Sequence, residues 1–150
     1  MVDEKFKNKA TKRFKDGWIR NIMIIEVLAS SEEAAKKSLE DHVSKMEKEK
    51  NVMIINRSYN DVKKVDKPHP TLEVGYSYIV ELETIMKNLE MLIYVSMTYA
   101  PSSIEIIEPD KLNIDIGEAQ AILNSVAEMI HKFAAVGIGG VIINNPEAGQ

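Results

Sequence analysis

An antiparallel α+β fold is predicted by three features of this sequence. Leu72 to Glu83 alternates apolar and polar residues with period two, as a strand with one core face does. Two other stretches carry apolar residues at helical spacing behind capping residues. The elements also run strand, helix, strand, strand, helix, strand, and that order buries both helices only if they share one face of a four-stranded sheet. Right-handed crossovers then place the first and third strands at the centre. This is the ferredoxin-like βαββαβ architecture, here with an added C-terminal helix and a short final apolar segment.

Residues 1–17 form a basic N-terminal arm, with Lys5, Lys7, Lys9, Lys12, Arg13 and Lys15 set against Asp3, Glu4 and Asp16. Phe6, Ala10 and Phe14 recur every four residues and would suit a short amphipathic helix, but the simpler expectation for such a terminus is a solvated, frayed tail. A single domain is then expected over residues 18–143. Trp18 to Ala29 reads as a strand whose near-continuous apolar run suits burial on both faces. Ser30 and Glu33 have capping-box spacing, and Ala35, Leu39, His42, Val43 and Met46 follow on one helical face.

Val52 to Ile55 begins a strand that continues weakly through Tyr59. Lys63 to Thr71 reads as a polar connector, because Pro68 and Pro70 do not fit a central strand. The alternating strand from Leu72 follows. Leu89 to Tyr99 is expected to be a helix, with Leu89, Leu92, Ile93 and Met97 inward and Pro101 closing it. Ser103 to Ile107 is a short strand ended by Pro109. Asp115 and Glu118 form a second capping box, opening a helix over 116–136 that Gly137 stops. Residues 144–150 are a polar tail.

Composition removes several chemistries. The chain has 150 residues, 45% of them apolar and 28% charged, which fits an ordinary globular domain. It has no cysteine, which excludes disulfides, cysteine-ligated metals and a thiol nucleophile. With no apolar leader at the N-terminus, a cytoplasmic location is expected. The longest apolar run, Phe133 to Ile143, is eleven residues with three glycines, against the roughly 20 a membrane span needs, so no membrane partner is expected. A net charge of −4 gives no general attraction to nucleic acid.

The motifs are sparse. His42, His69 and His131 lie too far apart for a metal site, and neither a cofactor nor a metal is expected. No serine sits in a nucleophile motif, and no catalytic residue can be assigned. Glu81 and Glu83 share one strand face and would line any groove there. Gly137-Ile-Gly-Gly140 follows a helix, whereas phosphate cradles precede one. Gly75-Tyr-Ser-Tyr-Ile79 resembles an RNA-recognition strand, but period two turns Tyr76 and Tyr78 toward the helices and leaves an acidic opposite face. RNA binding is therefore not expected.

Residues 76–109 carry a family resemblance. A strand, a helix ending in Tyr99-Ala100-Pro101, and then Ile104-Glu-Ile-Ile-Glu-Pro109 resemble the ferredoxin-like C-terminal extension domain of WYL-type bacterial regulators. The likeness covers about a third of the chain and is local. The helix-turn-helix and the WYL domain are missing, and a long helix is added. It implies a module for ligand sensing or oligomer contacts and supplies no catalytic residues. The chain ending also resembles small uncharacterised archaeal proteins, which implies no function.

The strongest positive feature is the last helix. Ile116, Ala119, Leu123, Val126, Ile130 and Phe133 alternate steps of three and four, beside a second stripe of Ile122, Met129 and Val136. Together with Ile138 and Val141 in the apolar run beyond, Ile116, Leu123, Val126, Ile130 and Phe133 are the expected interface. Packing of this helix within the monomer stands as the equal alternative. The preferred reading is a non-enzymatic homo-oligomer, most simply a dimer, that binds a small ligand or a partner protein. A small enzyme using Glu81, Glu83 or a histidine as acid or base is the second reading. Nucleic-acid contact through residues 1–17 is the third.

Overall fold

Two long segments, one an apolar run and one largely alternating, build the centre of the sheet. The computed structural model describes residues 4–135, and the chain divides into two compact units, residues 1–112 and residues 113–150. The first contains α1 (Glu4–Lys15), β1 (Ile19–Ala29), α2 (Glu32–Glu47), β2 (Val52–Tyr59), β3 (Lys63–His69), β4 (Leu72–Met86), α3 (Leu89–Tyr99) and β5 (Ser103–Glu108). The second contains α4 (Ile116–Ala135). The fold is α+β, with an antiparallel five-stranded sheet ordered β2-β4-β1-β5 and β3 added beside β4. The central pair is β1 and β4, the first strand and the alternating strand, as a βαββαβ chain predicts. They pair in continuous register from Ile19 opposite Met86 to Ala29 opposite Tyr76.

One face of this sheet is covered by α2 and α3. Ile19, Met23 and Ile25 of β1 and Val80, Leu82 and Met86 of β4 are buried there with Leu39 and Val43 of α2 and Leu92, Val95 and Tyr99 of α3. Tyr78 is in this cluster and Tyr76 packs against it, so the paired tyrosines do turn under the helices. In the same layer the Thr84 hydroxyl donates to Asn21 Oδ1 at 2.9 Å, and both residues are fully buried.

The caps hold with small shifts. The N-cap of α2 is Ser31, whose hydroxyl accepts from the Ala34 amide at 3.1 Å, one residue later than the Ser30–Glu33 spacing predicts. Asn88 caps α3 and Asp115 caps α4 by the same device, at 2.9 and 2.8 Å. At its end α3 places Ala100 in the left-handed region, φ 46°, ahead of Pro101. Its boundaries are those expected, but its buried stripe is Leu92, Val95 and Tyr99, with Ile93 and Met97 only half-buried.

Two further segments differ from expectation. Lys63 to His69 is a strand, not a connector. It is an edge strand with a register shift between Asp66 and His69, and such a site tolerates Pro68 because no ladder partner is needed on its outer side. Residues 4–15 form a helix, not a frayed tail. The face formed by Phe6, Ala10 and Phe14 packs with Trp18, Met53 and Ile85 in a second, smaller core on the sheet face away from α2 and α3.

Candidate functional site

The α1–β1 turn and the end of β5 meet because Arg20 and Glu108 are register partners on neighbouring strands. Between them lies an open cleft of about 490 Å³, walled by Phe14, Trp18, Ile107, Glu108, Pro109 and Asp110. Trp18 is largely buried, and the Arg13 guanidinium lies over its ring, 3.9 Å from the centroid, a cation–π contact that fixes the turn. Arg20 donates from Nε to Glu83 at 2.6 Å and reaches Glu108 only at 3.8 Å. Its charge is therefore spent chiefly on Glu83. A second groove, of about 300 Å³, runs between α1 and β2 with Phe6, Lys9, Arg13, Lys50 and Met53 in its walls.

A polar cluster ties α2 to α3. The phenols of Tyr99 and Tyr94 donate to one oxygen of Glu49, at 2.9 and 3.2 Å. His42 Nε2–H donates to the Tyr99 carbonyl at 2.9 Å, and the two rings meet edge to face, 5.0 Å apart. Burial, reinforced by the bond to Glu49 and its negative charge, pushes the Tyr99 phenol well above the ordinary value near 10. Because the folded state holds the proton more tightly than the unfolded chain, this cluster contributes fully below about pH 10, and its contribution is lost as pH rises beyond that. Burial also raises the Tyr59 phenol, so two of the five tyrosines are expected to ionise late in a spectrophotometric titration, and Tyr99→Phe should remove the later part of that phase while leaving the Tyr59 part.

The residues singled out from sequence are placed apart. Glu83 is held by Arg20, while Glu81 is exposed two residues away, so the two do not form an acid–base pair. His42 sits at the edge of the core, and His131 is exposed on α4. No group of three metal-ligating side chains occurs among the described residues. Within α4, no described residue is buried. Ile116 is 86% exposed, Leu123 63% and Ile130 38%, with Val126 and Phe133 half-buried. Ile138, Val141, the end of the expected helix at 136, its Gly137 stop and the polar tail lie outside the described residues. No described helix is long and apolar enough to cross a membrane.

Sequence reasoning missed the cleft. Its walls come from residues 14–18 and 107–110, which only the β1–β5 pairing brings together. The local signal available was a lone tryptophan beside a glycine turn, facing a Glu-Pro-Asp run.

No curated protein and no solved structure matches the chain. One family model does, over residues 20–145, a span that reaches into both units, and by that match the chain belongs to the MJ0538 family.

Proposed function

We propose that this protein is a cytoplasmic, non-enzymatic module of ferredoxin-like topology that self-associates as a dimer through α4 and binds a small ligand. The observation that carries this reading is the exposure of Ile116, Leu123 and Ile130 along one helix. Apolar side chains repeated at three-four spacing and left open to water favour a partner that removes them from it. Two of the groups that would serve a catalyst are engaged elsewhere, the His42 ring with a backbone carbonyl and Glu83 with Arg20, and Glu81 and His131 lie exposed and apart. The resemblance of residues 76–109 to the extension domain of WYL-type regulators agrees with a sensing or oligomer-contact role.

Light scattering at roughly tens of micromolar is expected to give twice the 16.9 kDa chain mass. Leu123→Glu should weaken association at least about tenfold, because a carboxylate at the centre of an apolar contact loses its water without gaining a partner. A chain that stays monomeric throughout the concentration range sinks the reading.

A further inference from the structure

We propose that the cleft between the α1–β1 turn and the end of β5 is a binding site for a small organic cation, of the alkylammonium class. Its volume, about 490 Å³, falls in the range of small-molecule sites, roughly 300–1,000 Å³. Aromatic walls and carboxylates are combined in it. The half-buried Phe14 supplies a ring that attracts positive charge, while the largely buried Trp18, already covered by Arg13, forms the wall beside it. Glu108 and Asp110 supply negative charge. Glu108 shares only the distant end of Arg20, and Asp110 has no ion pair among the described residues. The cleft thus holds two carboxylates with little internal neutralisation, beside apolar Ile107 and Pro109.

That balance selects the ligand class. Anions are repelled by the pair of carboxylates. A hard metal ion seeks six or more oxygen ligands, and here two carboxylates stand among rings and aliphatic groups. A cation with an alkyl shell satisfies both walls at once, its charge against Glu108 and Asp110 and its methyl or methylene groups against the rings. This inference names the ligand for the binding half of the proposed function. It does not depend on association through α4.

Trp18 is the only tryptophan and lines the cleft, so its fluorescence reads binding there. Titration of the full chain with choline is expected to give a saturable change, weakened by added salt. The uncharged isostere 3,3-dimethylbutan-1-ol should bind at least about tenfold more weakly, the factor that loss of a charged contact brings. Glu108→Gln with Asp110→Asn should weaken choline at least as much, with an unchanged thermal transition. Asp110→Asn alone is the companion variant, since it removes a cleft charge while leaving Arg20 its contact with Glu108. No saturable response to choline, an equal response to choline and its isostere, or unchanged affinity in these variants would each overturn the proposal. Mass measurements read the dimer separately, so either conclusion can fail without the other.

Discussion

Leu82→Ala is expected to lower the unfolding free energy by about 2–5 kcal/mol, the usual cost of emptying a leucine-sized volume in a packed core. Leu82 lies in the second half of β4, opposite Met23 of β1 and Arg57 of β2, and is fully buried. Both flanking strands hold the backbone in place, so the site has little freedom to collapse around a smaller residue. A domain of this size has only about 5–15 kcal/mol to lose. The effect should appear in urea denaturation as a lower midpoint with an unchanged slope. Glu81→Ala, one residue away on the exposed face, is expected to change stability by less than about 0.5 kcal/mol. Equal losses at the two positions would mean that β4 does not keep the face assignment described above, since a one-residue slip exchanges the two faces.

Thr84→Val is expected to cost about 1–3 kcal/mol, although it preserves shape and adds apolar surface. The reason is Asn21. Its amide oxygen accepts the Thr84 hydroxyl, while its Nδ2 has no acceptor among the described residues. Removing the threonine hydroxyl leaves a fully buried amide with no partner at either end, and the desolvation of that group is then uncompensated. The double variant Asn21→Leu with Thr84→Val should recover the loss, because replacing both partners removes the unmet demand. A double-mutant cycle by chemical denaturation measures this directly, and additive losses would show that the two side chains do not act together. Asn21 and Thr84 are direct register partners in an otherwise apolar layer. Only the native alignment of β1 and β4 brings them together, so the pair selects one register at some expense in stability.

Legibility in the sequence followed the clarity of local rhythm. β4 was readable because its polar and apolar residues largely alternate, and α4 because its seam begins at an aspartate cap. The inward side of α3 was misread because Leu89 to Tyr99 is apolar on nearly every side, and a pattern without contrast carries no phase. β3 was missed for a different reason. Its polar, proline-containing sequence is poor for a central strand, yet β4 is long enough to pair with β2 along one half and β3 along the other. The helical state of residues 4–15 depends on Met53 and Ile85, a patch assembled from β2 and β4 that no window around α1 contains. The apolar residues of α4 were legible as a stripe. The cleft was not, because it joins segments some ninety residues apart in the chain.

The central pairing has a consequence for synthesis on the ribosome. β1 emerges early, but its partner β4 follows only after α2, β2 and β3, and β5, on its other edge, comes later still. Until then both edges of an isoleucine-rich strand are open, and a large loop must close before either is satisfied. The nascent chain therefore passes through a stage in which its most apolar strand is its least protected, and the risk of aggregation during translation is concentrated there.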